Sequence, residues 1–306
     1  MITIGNAAGT LPLHRLDLVE HVAPSAATHI TVGPFRVNKW AGNGDKGTYY
    51  SHDGWSLNAL GLPAKDDCHE ACWNIRAATL IAHRHEKNLR TTVVGNSPRE
   101  YAFLAALAFA FGADGVEYNF GCPNVWGEDG QQKPIPSYHP PLMIEILNQT
   151  RQVLSRGQGV ELKISPVEDA LLQDIASIYK QYDDIVRGIV AVNTIPNQGR
   201  IQEDGFTHAL SFGNGNHIGG LAGDPARPEA VRVLSTLRRI LPHWANLTGV
   251  GGISTGEHAL ELLEAGANRG IQIGTAYYNN TDPGIFGDIL EQLAALPAAQ
   301  KYLQAA

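Results

Sequence analysis

The sequence contains few cysteines, no long apolar run and no excess of basic residues. Three cysteines among 306 residues cannot all be paired, which disfavours a disulfide-stapled scaffold and suits a reducing cytoplasm. The longest strongly apolar stretch, residues 102–113, is too short to cross a bilayer. The first residues also lack the basic and apolar regions of a secretory signal. We therefore expect a cytoplasmic protein that does not span a membrane.

The charge balance disfavours a polyanion as partner. Thirty acidic and 23 basic residues give a net charge of −7, whereas proteins that bind nucleic acids usually carry a basic excess. A hydrophobic content of 43% and a charged content of 17% are typical of a folded globular protein. No low-complexity segment or linker divides the chain. The sequence predicts one globular domain over residues 1–306 that binds a small molecule and no nucleic acid.

A short β-branched run followed by a longer amphipathic stretch recurs along the chain. The apolar runs are four to six residues long and do not alternate with polar residues, which is typical of parallel strands buried on both faces. The predicted strands are 2–5, 29–33, 91–95, 115–119, 160–164, 188–192, 246–250 and 270–273. The predicted helices are 16–22, 67–87, 98–111, 143–156, 167–181, 228–241, 255–265 and 283–293. This alternation predicts an α/β fold of the (β/α)8 TIM-barrel type. An open doubly wound sheet is the alternative, but the first strand lacks a Gly-x-Gly-x-x-Gly turn.

Two connections between the predicted elements are long. They cover residues 34–66 after the second strand and 194–227 after the sixth. Connections of this length without clear secondary structure usually carry function. In a barrel both would lie on the C-terminal face, where active sites are found, so we expect them to roof the pocket.

Glycine-rich turns follow the seventh and eighth strands. The first contains Gly251-Gly252-Ile253 and the second Gly274-Thr275, and Gly219-Gly220 in the connection after strand six could close the same site. Barrels often bind phosphate with these two loops, because glycine allows backbone N–H groups to approach an oxygen closely. The turns therefore predict a phosphorylated cofactor or substrate, although tight turning alone would also account for the glycines.

Several asparagines lie at strand ends or in the long connections. An amide side chain both donates and accepts hydrogen bonds, so a ring of amides suits a planar ligand that itself carries amide groups. Each asparagine alone is a common turn residue, but the strand ends of a barrel converge on one mouth. The four that would converge are Asn58, Asn119, Asn124 and Asn193.

Cys122 and Lys163 are the chemically reactive side chains at strand ends. Cys122 lies between a glycine and a proline; it could serve as a base or stay buried and inert. Lys163 could hold a phosphate or an anionic ring, form a Schiff base, or make a structural ion pair. Cys68 and Cys72 lie one helical turn apart and give only a weak metal signal. We assign them to a helix surface and predict no metal site.

In chain order, the motifs form a recognisable series. They are Asn6-Ala7-Ala8-Gly9, Asn58-x-x-Gly61-Leu62, Glu117-x-Asn119-x-x-Cys122-Pro123-Asn124, Lys163, Asn193-Thr194, Gly219-Gly220, Val250-Gly251-Gly252-Ile253 and Ile273-Gly274-Thr275. This series resembles the dihydroorotate dehydrogenase family over nearly the whole chain. The resemblance implies a barrel that carries FMN and oxidises dihydroorotate to orotate in pyrimidine biosynthesis.

The resemblance also implies roles for individual residues. Cys122 would be the catalytic base of the soluble cysteine class, Lys163 would lie beside the flavin, and residues 123–138 would form a mobile lid. The positions that match FMN contacts are Ala7, Gly9, Asn119, Lys163, Asn193, Thr194, Gly220, Gly251, Gly252, Gly274 and Thr275. The positions that match substrate contacts are Asn58, Gly61, Leu62, Asn119, Asn124, Asn193 and Thr194.

The chain departs from the family just after the second strand. The cysteine class carries a lysine–serine pair there, with the lysine near the flavin and the substrate, whereas this chain reads Gly33-Pro34. Arg36 or Lys39 could supply the missing charge from another position. A related dihydropyrimidine or another cyclic amide is therefore also compatible with the sequence as substrate.

The sequence leaves the oxidant and three alternative functions open. The resemblance suggests a homodimer, and the oxidant stays open. Fumarate would suit a stand-alone homodimer, whereas NAD would require an iron–sulfur/FAD partner chain, because this sequence has no cluster motif. Three alternatives stay open. One is a Schiff-base aldolase that uses Lys163. The second is a tRNA dihydrouridine synthase, which shares a flavin barrel but would need a basic surface. The third is an FMN-binding paralogue without catalysis.

Overall fold

The structure, a computed structural model, describes residues 2–44, 46–122, 134–213 and 215–303. Strands and helices alternate along most of these residues. The strands are β1 (Thr3–Asn6), β2 (His29–Phe35), β3 (Tyr49–His52), β4 (Trp55–Asn58), β5 (Asn88–Val93), β6 (Gly115–Asn119), β7 (Val160–Ile164), β8 (Val186–Ala191), β9 (Ile195–Gln198), β10 (Gly219–Gly223), β11 (Leu247–Val250) and β12 (Gly270–Ile273). The α-helices are α1 (Leu16–Val22), α2 (Cys68–Arg84), α3 (Pro98–Ala110), α4 (Pro140–Val153), α5 (Asp169–Gln181), α6 (Arg227–Ile240), α7 (Gly256–Glu264), α8 (Thr275–Asn280), α9 (Gly284–Ala295) and α10 (Gln300–Leu303).

Eight parallel strands close into a barrel in the order β1-β12-β11-β8-β7-β6-β5-β2. Neighbours in the barrel follow one another along the chain, as expected when each strand returns through a helix to the next parallel position. Apolar side chains of the strands, such as Ile4, Leu162 and Ile189, are fully buried against the surrounding helices. The (β/α)8 barrel predicted from the alternation is therefore confirmed.

Strand β5 begins at Asn88, before the predicted start at residue 91. The prediction began too late because a buried charged residue breaks the apolar pattern near the start of the strand. Arg90 lies in this strand and is 8% exposed. Its guanidinium donates to the Glu161 carboxylate of β7 at 2.9 Å. A buried charge is tolerated when it is paired and hydrogen-bonded in this way. The charged residue interrupts the apolar run without interrupting the strand.

The two long connections contribute a second sheet, which their sequence pattern had not indicated. Its order is β3-β4-β10-β9, and all its pairings are antiparallel. Strands β3 and β4 form a hairpin around Asp53 and Gly54, whose φ angles are 39° and 80°. An Asp-Gly pair with positive φ at both positions is typical of a tight type I′ hairpin turn. Residues 34–66 and 194–227 are thus joined through the pairing of β4 with β10.

Two further features differ from the expectations. Cys72 is buried on the inner face of α2 beside Ile75, rather than on the helix surface, because that face packs on the barrel core. The short helix α8 follows β12 directly and was not predicted. Among the helices of the described residues, none has the length and apolar character needed to cross a membrane.

Candidate active site

A cavity opens at the C-terminal ends of the barrel strands, and residues of β4 and β10 form part of its wall. The residues predicted for the site that line this cavity are Ala7, Gly9, Asn58, Leu62, Asn119, Cys122, Lys163, Asn193, Thr194, Gly251, Gly252, Gly274 and Thr275. They come from seven segments that are far apart in the sequence. The barrel brings them together because its parallel strands all end at one face.

Two of the predicted glycines, Gly61 and Gly220, are not among the residues that line the cavity. The carbonyl of Gly61 accepts a hydrogen bond from the indole of Trp40 at 2.8 Å, and the carbonyl of Gly220 accepts one from the Asn58 amide at 3.4 Å. Of the two donors, Asn58 lines the cavity. Asn124 and residues 123–133 of the predicted lid lie outside the described residues.

Asn119 and Asn193 form a hydrogen-bonded amide pair. The Asn193 Nδ2 donates to the Asn119 Oδ1 at 2.9 Å, and the same oxygen accepts the N–H of Gly121 at 3.2 Å. The Asn193 Oδ1 accepts the N–H of Thr194 at 2.8 Å. Because both amide oxygens are engaged by the protein, the pair presents N–H donors to a ligand, and these suit the carbonyl groups of a ring.

The turn that carries Cys122 is held tightly between the ends of β7 and β8. The hydroxyl of Ser165 donates to the carbonyl of Gly121 at 3.2 Å. A Cβ atom on Gly121 would lie 2.7 Å from the Cβ of Asn193 and 2.9 Å from the nitrogen of Ser165. Only glycine allows this approach, so the residue before Cys122 fixes the half-buried thiol at the cavity wall.

Lys163 is the buried cation of the cavity and is 4% exposed. Its Nζ lies 4.0 Å from the Glu117 Oε1, which is too long for a hydrogen bond. Burial lowers the pKa of Lys163, whereas the Glu117 carboxylate and the Cys122 thiolate raise it. The negative charge of Glu117 thus compensates the ammonium group from inside the barrel. The N–H donors of Lys163 are available to an anionic ligand. Glu117 was not among the residues predicted to be functional. A charged residue inside an otherwise apolar strand could have indicated it.

Arg36, and not Lys39, is the buried cation on the strand-two side. Arg36 is 3% exposed, donates to the Asn96 Oδ1 at 3.2 Å and lies over the Trp40 ring at 5.3 Å. Burial lowers the pKa of Arg36, and the nearby Cys122 is among the groups that raise it. Its Nη1 has no hydrogen-bond partner among the described residues. Lys39 is exposed and pairs with Glu70 at 2.7 Å.

The glycine turns after β11 and β12 form an open cradle. Gly252 has a φ of +67°, and a Cβ atom there would lie 2.8 Å from the Cβ of Arg227. A Cβ atom on Gly274 would meet only the Cβ of Ala7, at 3.7 Å, so it would project into the cavity. The open space at Gly274 and the buried ammonium of Lys163 fit a ligand with a phosphate and an anionic ring edge.

Replacing Gly252 by alanine tests whether this turn is sterically obligatory. We expect the Gly252→Ala protein to lose about 1–3 kcal/mol more in unfolding free energy than the Gly205→Ala protein. Both glycines have positive φ, at 67° and 76°, but a Cβ on Gly205 would meet nothing within 4 Å. Urea denaturation of the two apoproteins measures the difference. Equal losses of unfolding free energy in the two proteins would show that the positive φ angle, and not the contact with Arg227, causes the loss.

A model of the family described as dihydroorotate dehydrogenase matches residues 3–296 of the chain. The "Dihydroorotate dehydrogenase B (NAD(+)), catalytic subunit" of Methanopyrus kandleri is 28% identical over 288 residues, which cover 94% of this chain and 84% of that protein. A "Putative dihydroorotate dehydrogenase A (fumarate)" of Streptococcus pyogenes is 28% identical over 300 residues, 97% of this chain and 90% of that protein. A catalytic subunit with the same B-type name from Thermoplasma acidophilum is 30% identical over 252 residues, 80% of this chain and 74% of its own. With the barrel and the motifs in place, the chain belongs to the dihydroorotate dehydrogenase family of flavin-dependent oxidoreductases, which act on a CH–CH bond.

Proposed function

We propose that this protein oxidises dihydroorotate, or a closely related dihydropyrimidine, to the corresponding pyrimidine with FMN as cofactor, as a step of pyrimidine biosynthesis. One observation carries the proposal. A half-buried thiol, a buried ammonium group and a pair of amide donors line the same cavity, and a glycine cradle lies in its wall. These are the groups that removal of a proton and a hydride from an amide-bearing ring requires.

The residues present fit FMN. The turns at Gly252 and Gly274 would hold the phosphate, and Lys163 would lie at the anionic edge of the ring system. When bound, FMN accepts the hydride that leaves the substrate. Lys163 contributes positive charge there, an effect on the order of several kcal/mol in a water-excluded site.

The chain's own residues supply the acid–base chemistry and the orientation. In the proposed reaction the Cys122 thiolate takes a proton from a ring carbon of the substrate. The N–H groups of Asn119 and Asn193, together with Asn58 of β4, bind the ring carbonyls and hold the ring in register. The site is built on the ends of rigid strands, which limits reorganisation during the reaction.

Arg36 is proposed to stabilise the thiolate of Cys122 through charge. The Arg36→Met protein is expected to reduce its flavin about tenfold more slowly near neutral pH and to recover part of the loss at higher pH. A cation beside a thiol favours its ionised form, so without the cation more alkaline solution is needed. Stopped-flow reduction between pH 6 and 9 measures the profile. The Lys39→Met protein is the control, because an exposed ion pair contributes little. An unshifted profile for Arg36→Met would refute this role.

An anaerobic visible spectrum before and after addition of L-dihydroorotate tests the proposed function. Bleaching of a flavin band on addition would support it. A band that persists would direct the search to other dihydropyrimidines or to a paralogue without catalysis. If no flavin binds even after reconstitution with FMN, the proposal fails. Trapping of a Lys163 adduct by borohydride would then favour an aldolase.

The oxidant and the assembly are tested on the same preparation. The relatives are named for fumarate or for NAD(+), so reoxidation of the reduced protein is measured with each. The chain alone is proposed to react with fumarate as a homodimer. Light scattering gives the assembly, and reoxidation by NAD alone would contradict the proposed oxidant.

A further inference from the structure

Glu117 is a fully buried carboxylate in the middle of β6, directly below the cavity. Its side chain has no exposed surface. The Oε2 accepts a hydrogen bond from the Gln272 Nε2 at 3.0 Å. The Oε1 has no hydrogen-bond partner among the described residues, and the nearest cation is the Lys163 Nζ at 4.0 Å. A carboxylate in such a place is costly to bury unless its charge is needed.

The separation between Glu117 and Lys163 has a chemical consequence. At hydrogen-bond distance the carboxylate would occupy one of the three N–H donors of the ammonium group. At 4.0 Å the two charges still attract strongly in a buried site, but the donors remain available to a ligand. Burial alone favours the neutral amine, and the negative charge of Glu117 opposes that effect.

The other charged groups around the pair have their own partners or face the ligand. Glu161 precedes Lys163 on β7, but its carboxylate is paired with Arg90 at 2.9 Å. Arg187 of β8 donates to the carbonyl of Gln158 at 2.7 Å. The thiol of Cys122 lies on the cavity side and acts on Lys163 in the same direction as Glu117. Glu117 is therefore the charge that supports Lys163 from within the barrel.

We propose that Glu117 is a positioning residue that keeps Lys163 protonated while leaving its donors to the anionic edge of the cofactor, and that Gln272 fixes the carboxylate for this task. Gln272 belongs to β12, the strand that leads into the cradle at Gly274. One strand would thus orient the charge that supports Lys163 and carry the turn that holds the phosphate. The inference rests on the proposed binding of FMN.

The test is FMN binding by the apoprotein between pH 6 and 9, measured by quenching of flavin fluorescence. Glu117→Gln removes the charge but keeps the shape and an oxygen that accepts from Gln272. At each pH, the FMN dissociation constant of the variant is divided by that of the unaltered protein. The ionisation of FMN affects both constants equally and therefore cancels in this ratio. We expect this ratio to rise at least about tenfold from pH 6 to pH 9, because without the carboxylate the buried lysine loses its proton at lower pH than in the unaltered protein.

Two further variants keep the result interpretable. Glu161→Gln makes the same exchange in the next strand of the barrel, and its ratio should stay constant with pH. Glu117→Asp keeps the charge but moves it one methylene further from Lys163, so its ratio should rise by about threefold over the same pH range. If Glu117→Gln does not fold, this smaller rise in Glu117→Asp decides the matter.

The outcomes separate the two proposals. A pH-independent ratio for Glu117→Gln, or an equal rise for Glu161→Gln, would overturn the role of Glu117. If Glu117→Gln does not fold, a pH-independent ratio for Glu117→Asp would overturn it as well. Failure of the unaltered apoprotein to bind FMN at any pH would instead overturn the proposed function.

Discussion

Replacing Cys122 by alanine is expected to slow the reduction of bound FMN by dihydroorotate at least about 100-fold while the flavin stays bound. The thiol lies at the cavity wall, and its thiolate can accept a proton from a ring carbon of the substrate. Its turn is fixed by Gly121 and Ser165, so a methyl group at position 122 should leave the backbone in place. Single-turnover stopped-flow absorbance measures the rate, and the flavin spectrum of the resting protein measures occupancy.

The matched control is Cys68→Ala. This thiol is also half-buried, but it lies at the start of α2, away from the cavity. Its loss should leave the rate of reduction unchanged. A near-normal rate in Cys122→Ala would show that another group is the base, and a loss of flavin from that protein would show that the thiol serves binding.

Replacing Lys163 by methionine is expected to have the second largest effect. The variant should reduce its flavin about 100-fold more slowly or bind it correspondingly more weakly, because the cation at the anionic edge is gone. The apoprotein should also lose about 3 kcal/mol of unfolding free energy, since the fully buried carboxylate of Glu117 then has no compensating charge. FMN titration and urea denaturation measure the two losses separately.

The double variant Lys163→Met, Glu117→Gln separates stability from function. Removing the stranded carboxylate should restore most of the unfolding free energy, because two neutral side chains replace two charges. FMN binding and reduction should stay impaired, because the cation is still missing. If stability is not restored, the two residues do not interact as their 4.0 Å separation indicates.

Local patterns predicted the barrel because most of its strands are short, predominantly apolar runs between turn residues. Gly115–Asn119 and Val160–Ile164 were predicted to the residue. The second sheet was not predicted. Asp53-Gly54 is a hairpin signal for β3 and β4, but β10, which pairs with β4, is far away in the sequence. Pairing between distant strands is set by tertiary contacts that no local window contains.

The same distinction applies to the candidate site. Thirteen of the predicted site residues line one cavity, because strand ends of a barrel necessarily converge. The choice between Arg36 and Lys39 could not be made from the sequence. Both follow β2 closely, and only packing against Trp40 and Asn96 shows that Arg36 is inside. The role assigned to Glu117 likewise depends on a partner from another strand.

The pairing of β4 with β10 limits how this protein can be recombined with its relatives. Asn58 is opposite Gly220 in that pairing, and Trp55 is opposite Gly223. A graft that exchanges residues 34–66 alone would pair a foreign β4 strand in a register set by residues 194–227. Exchange of both segments together would preserve the match. We expect chimeras of this barrel to fold when the two connections are exchanged together, although more than 120 residues separate them in the chain.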